Sequence, residues 1–168
     1  RDAGRLAFEA PKLRRDGPVD ADTLARVARG LRLAPDAIVA ANWVDNGPDW
    51  LAVLLRSRDD VLAVRPDYAA LAGQRVGVVG AWNPASDGTQ AQFEVRAFTA
   101  GGYEDPVTGS LNAGVAQWLI GAGIAPASYV ASQGTVLGRA GRLRAARRRV
   151  RARPWLRAAA PLRPRRAS

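Results

Sequence analysis

Residues 93–120 run Phe93-Glu94-Val95-Arg96-Ala97-Phe98, then Thr99-Ala100-Gly101-Gly102-Tyr103-Glu104-Asp105-Pro106-Val107-Thr108-Gly109-Ser110, then Leu111-Asn112-Ala113-Gly114-Val115-Ala116-Gln117-Trp118-Leu119-Ile120. The first block alternates apolar and polar, which predicts a strand with one wet face. The last is apolar on most sides, and a helix without a charged face is usually buried. The glycine-rich loop between them places two carboxylates, Glu104 and Asp105, directly before that helix. Gly109 allows close approach to the backbone, and Ser110 supplies a hydroxyl at the helix start. Free N–H groups and the helix dipole favour an anion there. A substrate carboxylate could sit at this end while Asp105 faces its reacting carbon. Simple N-capping by Thr108 or Ser110 explains the same residues without a ligand.

Outward from this block, Arg75 to Trp82 is β-branched and short, a predicted strand, and Asn83 to Thr89 is turn-rich. Ala37 to Val44 and Trp50 to Leu55 flank Asp45-Asn46-Gly47-Pro48 and read as a hairpin. Asp20 or Asp22 can cap a helix through Leu24, Val27, Ala28 and Leu31, with Gly30 near its end. Arg58 to Leu71 reads as a second helix, with Asp59 and Asp60 in its first turn. Leu6 to Ala10, Tyr129 to Ser132 and Val136 to Leu137 read as further short strands.

The 168 residues suffice for one ordinary domain. Cysteine and histidine are both absent, which excludes disulfides, thiolate sites, Ser-His-Asp triads and His-ligated zinc within this chain. Methionine is absent too, and the chain begins at Arg1, so it reads as an internal or processed piece of a longer protein. No apolar run approaches the roughly 20 residues that cross a bilayer. There is no signal-peptide pattern, so a soluble cytoplasmic protein is expected. The net charge of +10 is not spread over the body. Ten arginines and no acid lie in residues 143–168, leaving 15 basic residues against 15 acids in residues 1–142. Such a tail is either an arginine-rich arm for phosphates or a GC-rich gene read out of frame. Lys12 is the only lysine, which fits a GC-rich source.

Glu-Asp-Pro-Val-Thr-Gly-Ser over residues 104–110, the helix behind it and Gln133-Gly134-x-x-x-Gly138-Arg139-x-Gly141 resemble the PhzF-like isomerases of phenazine biosynthesis. The segment Trp43 to Pro48 resembles that family's substrate-side turn. The resemblance covers about residues 6–142 and implies an α+β fold: one lobe, the second, of a diaminopimelate epimerase-like fold. Mixed and antiparallel strands would wrap a central buried helix. By the same resemblance Asp105 matches a catalytic carboxylate, Thr108, Gly109 and Ser110 the substrate-binding helix start, and Asn46 and Gly47 a weaker contact. The family's main glutamate and its Gly-His-Pro segment belong to a first lobe that this chain does not contain. The implied function is cofactor-independent proton transfer on a small carboxylate-bearing substrate, with neither metal nor organic cofactor. The isolated chain is then expected to be inactive. Its expected partners are the missing first lobe and, because an incomplete lobe tends to associate, a second copy. The alternatives are a non-catalytic remnant and a basic-tailed nucleic-acid-binding module. The neutral body, residues 1–142, argues against the latter. Residues 143–168 show no strand period on this reading and are expected to be disordered or out of frame.

Overall fold

The computed structural model describes residues 9–147. Eight strands form one mixed sheet: β1 (Arg15–Pro18), β2 (Ile38–Asp45), β3 (Trp50–Leu55), β4 (Arg75–Ala81), β5 (Phe93–Phe98), β6 (Glu104–Asp105), β7 (Ser128–Gln133) and β8 (Gly141–Ala146). The order is β1-β2-β3-β4-β5-β7-β8, with β6 paired to β5. The pairs β3–β4 and β5–β7 are parallel and the others antiparallel. The helices are α1 (Ala21–Leu31), α2 (Arg58–Ala63), α3 (Pro84–Asp87) and α4 (Gly109–Gly121).

Helices cover both faces of the sheet. Trp50, Ala52 and Leu54 of β3 and Phe93, Val95 and Ala97 of β5 pack with Leu111, Val115 and Leu119 of α4. Leu51, Val53 and Leu55 point the other way, into a cluster with Val27 and Leu31 of α1 and Val61 of α2. A strand buried on both faces reads as a continuous apolar run, which is why β3 contains no polar residue. The same burial corrects the expectation for β5: all six residues are buried. Glu94 and Arg96 face α2 rather than water. Glu94 accepts hydrogen bonds from Trp82 Nε1 at 3.1 Å and from the Thr135 hydroxyl. Its Oε2 lies 3.6 Å from Arg58 Nε, an ion pair too long to be a hydrogen bond. Arg96 Nη1 donates to the Val61 and Val64 carbonyls at the end of α2, and its other nitrogens form a two-pronged pair with Glu104.

Helix α1 follows its sequence signals. Asp20 caps it by accepting from the Thr23 N–H, and that bond holds the Asp20 carboxyl below its ordinary value. The end differs: Arg32, at φ 55°, closes the helix, and Gly30 lies inside it, where Leu71 occupies the space a side chain would need. Helix α2 is also shorter than expected. It stops at Ala63: Val64 is extended at ψ 131°, Pro66 disfavours helical geometry at Arg65, and turns follow over residues 68–73. The expected loop over 83–89 contains the short α3. Val136 and Leu137 form a 3₁₀ turn, not a strand. The strand that returns along β7 is β8, and it runs across the boundary expected at residue 142. Gly141, Leu143 and Ala145 are half-buried while Arg142, Arg144 and Ala146 are exposed, a two-residue period carried by small and arginine side chains. The rest of the arginine-rich segment from residue 148 lies outside the described residues. So does the strand expected at Leu6 to Ala10, except Glu9 and Ala10, which are in no strand.

Helix α4 touches β2 and β3 at one end of the sheet order and β8 at the other. In a flat sheet β2 and β8 would be roughly 24 Å apart, about twice the width of a helix, so the sheet curls toward α4. The closest approach is at Gly114, where an added Cβ would overlap the Val44 carbonyl oxygen of β2. Gly114→Ala should therefore destabilise the fold, by up to about 2 kcal/mol in urea unfolding. The gain in helix propensity is about 1 kcal/mol, whereas overpacking costs about 1–3 kcal/mol and a backbone neighbour cannot rotate away. Gly121→Ala, with open space around it, should be neutral or stabilising. Equal midpoints for the two variants would contradict this packing.

Candidate active site

The hairpin loop and the start of α4 build a common site. The buried Asp45 carboxylate accepts from the Gly47 N–H at 2.6 Å and the Asp49 N–H at 2.7 Å, which folds the turn tightly. Gly47 sits at φ 144°, where a side chain is disfavoured. Asn46 then reaches across and donates from Nδ2 to the Ser110 carbonyl at 2.8 Å. Trp50, buried on β3, donates from Nε1 to Ser110 Oγ at 3.0 Å. A buried indole N–H usually finds a partner, and here that partner is the hydroxyl. Because Ser110 Oγ accepts from Trp50, its own proton is free to be donated outward.

Asn46, Gly47 and Pro48 line one side of an open cleft of about 510 Å³, and Gly109, Ser110 and Ala113 line the other. Glu9 and Pro11 complete it. Gln117 of α4 holds this approaching segment by donating to the Pro11 carbonyl at 2.9 Å. The cleft lies at the N-terminus of α4, whose cap residue Thr108 makes no side-chain capping bond. The first-turn N–H groups and the helix dipole thus favour an anion in the cleft.

Of the six residues expected from the sequence, Asn46, Gly47, Gly109 and Ser110 come together at this cleft. Thr108 does not line it. Thr108 is buried, and its hydroxyl accepts from Gln133 Nε2 at 3.1 Å. Asp105 is half-buried at the end of β6, on the loop that enters α4, and is not among the cleft's lining residues. Its Oδ1 accepts from the Val107 N–H at 3.1 Å. Next to it, Glu104 is held by Arg96, and burial, aided by the Glu104 charge, pushes the nearby Tyr68 phenol above its ordinary value. The sequence reading missed Trp50 and Glu9 as site neighbours. Trp50 carried a signal, since the N–H of a tryptophan in an all-apolar strand usually finds an acceptor, although that of the buried Trp43 does not. Glu9 carried none. Among the described residues no three Asp, Glu, His or Cys side chains gather as a metal-binding group, and no helix is long and apolar enough to cross a membrane.

The profile of the family described as "Phenazine biosynthesis-like protein" matches residues 3–155, and the chain belongs to that family. Among solved structures it is similar to a phenazine biosynthesis protein of the PhzF family from Enterococcus faecalis. The identity is 22% and the TM-score 0.55, over 74% of this chain and 44% of that one. It is also similar to a PhzF-family phenazine biosynthesis protein from Bacillus anthracis, with 15% identity and a TM-score of 0.58, over 80% of this chain and 48% of that one. At these identities the likeness is one of fold. The chain spans less than half the length of either structure. No curated protein matches it.

Proposed function

We propose that the chain is the second lobe of a PhzF-like, cofactor-independent isomerase that moves a proton on a small carboxylate-bearing substrate. The observation that carries this reading is the cleft where the uncapped start of α4, with Gly109 and Ser110, meets the Asn46-Gly47 turn. Here the substrate carboxylate binds against the helix N–H groups, and the Ser110 hydroxyl, oriented by Trp50, donates to it. Asp105 does not line the cleft but stands at the end of β6, just ahead of the same helix; by family resemblance it is the group that takes a proton from the carbon beside that carboxylate. A second group returns a proton at another carbon, so the substrate is rearranged with no net gain or loss. By family resemblance that second group is a glutamate of the first lobe, and the sheet curled about α4 is one lobe of a diaminopimelate epimerase-like fold. The protein acts in the cytoplasm, its partners being the first lobe and, in its absence, a second copy of the chain. Nucleic acid binding is not part of this reading, because basic and acidic residues balance in residues 1–142, which carry the cleft.

On this reading the isolated chain is inactive. The test is deuterium incorporation from solvent, followed by NMR, into a panel of small carboxylic acids with an acidic C–H beside the carboxylate. The chain alone should give none. Addition of a first lobe from a full-length relative should give incorporation that Asp105→Asn reduces at least about 100-fold, the usual contribution of a general acid or base. Ser110→Ala should mainly raise KM. Incorporation by the chain alone that depends on Asp105 would show that one lobe suffices. Incorporation indifferent to Asp105→Asn would remove that residue from the chemistry.

A further inference from the structure

The Gln133-Gly134-x-x-x-Gly138-Arg139-x-Gly141 motif has no role in the chemistry above, yet three of its residues close on the loop that carries Asp105. Gln133, at the end of β7, is fully buried. Its Nε2 donates to the Asp105 carbonyl at 2.8 Å and to Thr108 Oγ1 at 3.1 Å. Its Oε1 accepts from the Thr108 N–H at 3.1 Å and from Asn112 Nδ2 at 2.7 Å. Both amide protons and both lone pairs of one carboxamide are thereby used. All four bonds go to residues 105–112, from the end of β6 to the first turns of α4. Gly134 stands at φ 87°, and a Cβ there would lie 2.8 Å from the Pro106 carbonyl oxygen. A Cβ on Gly141, which pairs with Gln133 across β7 and β8, would lie 3.0 Å from Val107 Cγ2. Each residue of the Asp105–Thr108 turn is therefore met by one part of the motif.

We infer that Gln133 is a positioning residue: its carboxamide clamps both ends of the Asp105–Thr108 turn and so fixes Asp105 relative to the start of α4. A residue that merely filled core space at this point would be apolar, because a buried carboxamide is costly unless all its groups are bonded. The catalytic meaning of the clamp rests on the reading of Asp105 as the proton-transfer group, but the clamp itself needs no substrate to be tested.

The two halves of the carboxamide can be separated by mutation. In Gln133→Glu the side chain still accepts from the Thr108 N–H and Asn112, but it carries at most one proton where the amide has two, so the bonds to the Asp105 carbonyl and Thr108 Oγ1 cannot both be made. In Gln133→Leu both halves are lost. Residue-resolved amide hydrogen exchange on the full chain should show Asp105 and Val107 exchanging about tenfold faster in Gln133→Glu, the order of one lost hydrogen bond. Thr108 should stay protected in that variant and lose protection only in Gln133→Leu. Amides at 115–121 should be unaffected in Gln133→Glu. Uniform acceleration across the chain, or an unchanged 105–109 segment, would overturn the clamp. If neither variant folds, the wild type decides. The Gln133 side-chain amide protons should exchange at least about tenfold slower than those of exposed Gln90, and equal rates would refute the four bonds. Failure of the deuterium assay with an intact clamp would count against the isomerase reading alone.

Discussion

A chain ended after Arg142 should unfold at much lower denaturant than one ended after Arg147. The first truncation removes Leu143 to Ala146, which pair with Ala131 back to Ser128 of β7. It also removes the Arg147 N–H bond to the Ala127 carbonyl. Each backbone hydrogen bond contributes about 1 kcal/mol net. Several are lost together with the packing of Ala145 against the α4 cluster, so the expected cost is roughly 3 kcal/mol or more. That is a large share of a total near 5–15 kcal/mol. The cut also bares the edge of β7, the strand that carries Gln133, and an unpaired edge invites association. Urea unfolding and light scattering of the two truncations measure both effects. Coincident unfolding curves would mean that β8 contributes nothing to the fold.

Arg96→Met should be among the most damaging single substitutions outside the cleft, costing about 3–5 kcal/mol. Arg96 and Glu104 are 3% and 6% exposed, and they bond through two parallel contacts of 3.0 and 2.7 Å. Removing the arginine leaves a buried carboxylate without its partner, and it takes one of two donors from each of the Val61 and Val64 carbonyls, which keep the Val64 N–H and Arg65 Nη1 respectively. Glu104→Leu should cost less, since Arg96 keeps those two carbonyls. Glu104→Gln should cost least, because an amide oxygen still accepts. The double variant Arg96→Met/Glu104→Leu should lose less than the sum of its parts, since no unpaired charge remains. Additivity in chemical denaturation would show that the two charges do not interact. The pair matters beyond stability: with the β5–β6 pairing of Ala97 to Asp105 and Phe98 to Glu104, it anchors one side of the loop that Gln133 holds from the other.

Much of the framework was legible from local signals. The Asp20 cap and the three-and-four spacing set α1, the Asn-Gly turn set the β2–β3 hairpin, and the apolar block behind Gly109 set α4. These are contacts between residues near in sequence, so pattern and capping chemistry suffice to read them. The errors have the opposite character. Alternation in β5 reads as a wet face only if water lies on that side. Arg58, Thr135 and Glu104, 36, 41 and 8 residues away from Glu94 or Arg96, replaced the water instead. In β8, arginine and alanine carry too little contrast in hydrophobicity to announce a strand. Its place is set by the hydrogen bonds that β7 offers.

The candidate site divides the same way. The sequence by itself determined that a carboxylate-bearing connection leads into an apolar helix, because glycine, proline and the apolar run dictate local backbone; that Glu104 and Asp105 pair with β5 as the short β6 was decided by the tertiary structure. Only the tertiary structure decided that Asn46 and Trp50, 64 and 60 residues from Ser110, bond to it. It also decided that Thr108 turns inward to Gln133 rather than toward the cleft. A hydroxyl or an amide has the same chemistry wherever it lies in the chain. Which partner it finds depends on how strands distant in sequence are brought side by side, and that is settled by packing on both faces of the sheet.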